Sequence, residues 1–142
     1  MSQAAALGWH AMALLARRAP SPLSTKEMAA ALQASAAHLS KVLQRLAKAG
    51  IVLSERGPGG GYRLAKAANR LTLLRILEAI DGPLAPDACL MRVRVCPGKK
   101  CLLGDLLTDV NHRVRRYFAE TTLSDICERQ ASRQARVEGM TL

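Results

Sequence analysis

Cys89, Cys96 and Cys101 fall within thirteen residues of one another, and a fourth cysteine, Cys127, stands apart from them. In a protein kept in a reducing compartment, thiols clustered this closely point to a metal or redox site before structural disulfides. Arg92, Arg94, Lys99 and Lys100 are threaded among the three. Positive charge favours the thiolate, which is both the metal-ligating and the oxidisable form. An enzyme using Cys89 or Cys96 as nucleophile would need a general base and an oxyanion site close by. The chain has three histidines, His10, His38 and His112, none of them beside these thiols in sequence, so the chemistry expected is sensing rather than catalysis.

The elements that must position these cysteines divide by charge. Residues 1–75 carry eleven Lys and Arg against only Glu27 and Glu55, whereas residues 76–142 are almost balanced, within a total of +10. One half is therefore built to meet a polyanion. A membrane surface would require large apolar residues opposite the lysines. The basic half has one Trp, one Tyr and no Phe, so nucleic acid is the expected partner. No stretch reaches the roughly 20 apolar residues of a membrane span. The opening Met1-Ser2-Gln3 has no leader pattern, so a soluble cytoplasmic protein is expected.

Hydrophobic periodicity predicts a first helix over residues 4–18, with Leu7, Ala11, Leu14 and Leu15 on one face. Ser24-Thr25-Lys26-Glu27 reads as a capping box that opens a short helix to Leu32, with Met28, Ala29 and Leu32 inward. Ser35 then caps a second helix through Ala49 with a buried stripe of Leu39, Val42, Leu43 and Leu46. Its opposite face presents Ser40, Lys41, Gln44, Arg45 and Lys48, the pattern of a helix-turn-helix. A strand over residues 51–56, the tip Gly57-Pro58-Gly59-Gly60-Gly61 and the strand Tyr62-Arg63-Leu64 form a β-hairpin whose glycines allow close backbone approach. Directly after a helix-turn-helix this is a wing, with Arg56 and Arg63 within reach of a groove or of phosphates.

Thr72 caps a further helix that ends at Asp81 before Gly82-Pro83, and residues 83–100 read as a long loop. From Cys101 to Ala119 a long helix is expected, with Leu103, Leu106, Leu107, Val110, Val114, Tyr117 and Phe118 on one near-heptad stripe. A small domain has no need of so long a seam, and a two-fold dimer interface fits it. Thr122-Leu123-Ser124-Asp125 opens a short last helix, with a frayed polar tail from Arg129. The fold class expected is mainly α with a small β-hairpin: a winged helix-turn-helix over 1–82, a cysteine-containing sensor loop over 83–100, and a dimerisation helix with its tail over 101–142.

The stretch His38 to Leu84, above all Arg56-Gly57-Pro58-Gly59-Gly60-Gly61-Tyr62-Arg63-Leu64, resembles the winged-helix core of the Rrf2 family of transcription regulators, and the likeness extends over nearly the whole chain. That family includes an iron–sulfur cluster regulator and a nitric-oxide-sensitive repressor. The resemblance implies a homodimer on partly palindromic double-stranded DNA, with the recognition helix in the major groove and the wing in the minor groove. It implies a base-reading face of Ser35, His38, Ser40, Lys41 and Gln44, with Arg56, Gly59, Gly60 and Arg63 on the wing. Lys41 or Arg45 can donate to guanine O6 and N7, and Gln44 can pair with adenine. Lys48, Lys66 and Arg70 suit phosphate contact or plain solvation.

The resemblance further implies that Cys89, Cys96 and Cys101 ligate an iron–sulfur cluster, [2Fe-2S] or [4Fe-4S]. A cluster-free regulator using thiol oxidation, zinc or a protein partner is the alternative. The intervals between the cysteines, six and four residues, depart from the even spacing of relatives. Two positions that supply a fourth ligand in relatives are glycines here, Gly8 before Trp9 and Gly104 after Cys101; His10 and Asp105 are the nearest substitutes. Cys127 reads as a packed thiol and Trp9 as a packing residue.

Overall fold

Most helices of this chain start where a Ser or Thr oxygen can accept one of the backbone N–H groups that a helix N-terminus leaves unpaired. The computed structural model describes residues 2–84, 95–97 and 101–139, with side chains to 134. Helix α1 (Gln3–Arg18) begins on Ser2, α2 (Thr25–Leu32) on Ser24, α3 (Ala36–Lys48) on Ser35, and α4 (Leu73–Asp81) on Thr72. At Ser24 the reciprocal box is complete: Glu27 N donates to Ser24 Oγ over 3.2 Å, and Ser24 N donates to Glu27 Oε2 over 2.8 Å. Thr122 and Asp125 repeat it ahead of α6 (Leu123–Gly139), at 2.7 Å from Thr122 N to Asp125 Oδ2 and 3.3 Å from Asp125 N to Thr122 Oγ1.

Helix α5 (Leu106–Glu120) lacks such a cap, and here the structure corrects the sequence reading. Residues 101–105 form turns rather than the first turn of a long helix, because Gly104 takes a left-handed φ of 60° and its N–H closes on the Cys101 carbonyl at 3.0 Å. The second correction is α6, which runs for 17 residues where a short helix with a frayed tail was expected.

The wing is the antiparallel pair β1 (Val52–Glu55) and β2 (Gly61–Leu64), in the register Val52 to Leu64 and Glu55 to Gly61. Leu23 extends it as an isolated bridge to Tyr62, with N–H···O bonds of 2.9 and 2.8 Å. This is the close backbone approach the glycines anticipated: a Cβ on Gly61 would overlap the Leu23 carbonyl, so only glycine fits.

The main core gathers Met12, Leu15, Met28, Leu39, Leu43, Leu46, Ile51, Leu71 and Ile76, and the stripe expected for α3 is wholly buried. Leu7 and Leu14, expected on the inner face of α1, are half-buried, while Met12 is fully enclosed. Where α1 meets α4, a Cβ on Gly8 would overlap Ile80 Cδ1. Leu123 of α6 belongs to this same core, and bonds from Leu73 N to Thr121 O (2.9 Å) and Leu123 N to Leu71 O (2.8 Å) lock the starts of α4 and α6 together. A second cluster joins Ala5, Leu73, Leu77 and Phe118.

The apolar stripe of α5 and the turn before it divides between two environments. Phe118 is buried against Trp9, with ring centroids 5.0 Å apart, and Val114 packs in the same cluster. Leu103, Leu106, Val110 and Tyr117 stay 44%, 56%, 46% and 48% exposed, so one chain alone covers only part of the stripe.

Candidate nucleic-acid interface and cysteine segment

Helix α3 is amphipathic by construction: with Leu39, Val42, Leu43 and Leu46 in the core, Lys41, Gln44 and Lys48 are left outside and exposed. Ser40 is half-buried on the shoulder between the two faces. Ser35 Oγ accepts from His38 N at 3.3 Å, so its hydroxyl caps the helix and keeps its own proton to donate. Ser35, His38 and His10 line one cavity of about 440 Å³ with Gln3, Leu7 and Gln33.

Arg45 stands apart from this set. Its Nη1 donates 2.7 Å to the Ile80 carbonyl, one of the acceptors left unpaired at the C-terminus of α4. The guanidinium is drawn toward α4, where a base-reading role had been expected for it alongside Lys41.

At the wing, Gly57 and Gly59 take positive φ values of 98° and 73°, and Gly60 N closes the tip on Gly57 O at 3.0 Å. Arg56 is exposed with no acidic partner among the described residues, whereas Arg63 is ion-paired with Glu55 across the hairpin. The two wing arginines, equivalent in sequence, therefore differ in free charge. Lys66 and Arg70 are exposed near the base of the hairpin.

Of the clustered cysteines, Cys96 and Cys101 are half-buried free thiols, and Cys89 lies outside the described residues together with Arg92, Arg94, Lys99 and Lys100. Two thiols without a disulfide suit thiophilic metal chemistry. Among the described residues no three His, Cys, Asp or Glu side chains come together as a metal-holding group. The case for Asp105 assumed one helical turn after Cys101, and that segment is not helical. His10 Nδ1 is hydrogen-bonded at 2.8 Å to the Ala6 carbonyl of its own helix. At Gly8 a Cβ would meet the tip of Ile80, which would have to shift to admit any side chain.

Cys127 is half-buried on α6 against the main core; burial pushes its thiol above the ordinary 9.0, with Arg17 opposing and Glu128 adding to the rise. Trp9 is a packing residue as expected, its Nε1 donating 3.1 Å to Leu73 O.

Sequence reasoning missed a group of contacts around the last turn of α4. Arg115 Nη1 of α5 donates to Leu84 O at 3.0 Å and to Glu78 Oε1 at 3.3 Å, while Leu84 N donates to that same Glu78 oxygen at 3.4 Å. Asp81 accepts from Ser2 N at 2.9 Å. No local pattern announces pairs so far apart in the chain.

The model of the Rrf2 family, described as iron-dependent transcriptional regulator, matches residues 1–129. The transcriptional regulator IscR of Vibrio atlanticus is 30% identical over 115 residues, which are 81% of this chain and 65% of that protein's length. The solved structure of CymR, the global cysteine regulator of B. subtilis, superposes with a TM-score of 0.77 at 27% identity, covering 90% of this chain and 95% of that one. The structure of T. potens IscR, at 23% identity and a TM-score of 0.73 over 92% of this chain and 87% of that one, shares the fold.

Proposed function

The chain belongs to the Rrf2 family of transcriptional regulators, which are not enzymes, and from that we propose that it binds partly palindromic double-stranded DNA as a homodimer and changes operator affinity with the state of Cys89, Cys96 and Cys101. The observation that carries the DNA half is α3, whose apolar side is wholly buried and whose outer face presents Lys41 and Gln44 beside a glycine-tipped hairpin. On this reading Ser35, His38, Ser40, Lys41 and Gln44 meet base edges, Arg56 enters the minor groove from the wing tip formed by Gly59 and Gly60, and Lys48, Lys66 and Arg70 meet phosphates. Arg63, already paired with Glu55, adds less positive charge than Arg56.

The sensing half rests on donor chemistry: three thiols in one short segment suit an iron–sulfur cluster, with the fourth site left to a group other than Gly8 or Gly104. A bound cluster supplies a cross-link among these thiols that oxygen or nitric oxide can break. The chain's own contribution is a segment anchored to α4 through Leu84 and followed by α5, so that its state bears on the elements behind the recognition helix.

Anaerobic purification, visible absorption, and iron and acid-labile sulfide assays test the cofactor, and operator binding by fluorescence anisotropy tests the rest. The expected result is a brown protein whose colour is lost in Cys96→Ala together with a change in operator affinity. A protein that stays colourless after anaerobic reconstitution would replace the cluster with thiol or zinc chemistry and leave DNA binding standing. Affinity independent of salt would remove DNA binding itself.

A further inference from the structure

The last turn of α4 is where four parts of the chain meet. Ile80 holds α3 through its carbonyl, which accepts from Arg45, and α1 through its side chain, which fills the notch at Gly8. Glu78 holds α5 through Arg115 and the backbone N–H of Leu84, the last described residue before the cysteine segment. Arg115 also donates to the Leu84 carbonyl, so both backbone groups of Leu84 are fixed. The helix then ends at Gly82, which takes a positive φ of 86°.

We propose that Arg45 is a positioning residue, a strap between the recognition helix and the root of the cysteine segment, and that Arg115 is its counterpart from α5. This rests on the functional reading above and names the route by which the cysteines reach the DNA-binding face. Arg45 is the basic side chain of α3 whose hydrogen bond runs to another element, and its acceptor lies four residues before Leu84. Any shift of Leu84 that drags the last turn of α4 moves the Ile80 carbonyl and so pulls on α3 at Arg45. Lys41, one turn earlier on α3, and Gln44, the residue next to Arg45, would move with it. Packed interfaces answer such a pull by switching between discrete arrangements.

The test is a double-mutant cycle in the full chain, reading operator affinity for wild type, Arg45→Met, Cys96→Ala and the pair, each across a salt series. Met keeps the aliphatic stem and removes the donors. In the wild-type background Cys96→Ala is expected to change affinity at least about five-fold, the lower end of ordinary coupling between sites. In the Arg45→Met background the same substitution should change it less than about two-fold, with the salt slope kept. Arg115→Met, outside the recognition helix, should blunt the response in the same way, and it serves if Arg45→Met fails to fold.

A salt slope reduced by about one in Arg45→Met, with factors that simply multiply, would overturn the strap and make Arg45 a phosphate contact. A changed base preference at one operator position would overturn it in favour of base reading. Equal affinity of wild type and Cys96→Ala would sink cysteine sensing, and the strap with it; a responsive wild type with an equally responsive Arg45→Met would sink the strap alone.

Discussion

Gly8 shows how much one missing methyl decides, because Ile80 Cδ1 lies where its Cβ would be. Gly8→Ala overpacks the crossing of α1 and α4 and should cost about 1–3 kcal/mol. Ile80→Val removes the offending Cδ1, so the double variant should recover part of that loss, with a coupling of at least about 0.5 kcal/mol. Thermal unfolding of the four proteins checks this, and additive losses would show that the notch has another filling. At Cys127, burial holds the thiol above its ordinary 9.0, so at neutral pH it is protonated and a weak nucleophile. Alkylation at Cys127, followed by peptide mass analysis, should be slower at pH 7 than that of a small free thiol and should accelerate as pH rises past 9; equal rates at pH 7 would contradict the burial.

At the scale of elements, the capping boxes of α2 and α6 tie folding to acid. Hydrogen bonds from Ser24 hold Glu27 below its ordinary 4.5, and those from Thr122 hold Asp125 below its ordinary 3.8. A carboxylate whose pKa is depressed by folding stabilises fully above its ordinary value, and that stability is lost as pH falls through the lower folded value. Glu27→Gln should therefore melt below wild type at pH 7, and the gap should narrow once pH drops beneath 4.5. A gap that is constant from pH 7 to pH 3 would mean that the carboxylate charge contributes nothing. The box at Ser24 is legible in the sequence, since a cap is local and its partners sit three residues apart; at Thr122 the sequence reading reached the helix start but not the box. The start of α5 was not: the apolar spacing continues through residues 101–105, but Gly104 adopts a left-handed turn that periodicity does not register.

At the scale of the molecule, α5 leaves Leu106, Val110 and Tyr117 exposed, with Leu103 in the turn before it, while Phe118 and Val114 hold the helix to the rest of the chain. A continuous apolar stripe of this kind marks an association surface, and a second copy of the chain would set two recognition helices about one DNA turn apart. Leu106→Glu combined with Val110→Glu should yield a monomer by sedimentation with helical circular dichroism retained. Operator affinity should fall by about a hundred-fold, the avidity lost when two linked contacts become one. A dimer that survives both charges would place the interface elsewhere.

Features that depend on neighbours in the chain are legible in the amino-acid order: the caps at Ser24, Ser35 and Thr72, the buried stripe of α3, the glycine-tipped hairpin and the uneven spread of basic residues. Features that depend on contacts between distant residues came from packing. Packing gave Arg45 to Ile80, paired Arg63 with Glu55, set Ile80 beside Gly8, divided the α5 stripe between a buried and an exposed side, and brought Arg115 to Leu84. The physical reason is that periodicity reports which face of an element is apolar, whereas the partner of a long polar side chain is whichever unpaired carbonyl or carboxylate the packing brings within its reach.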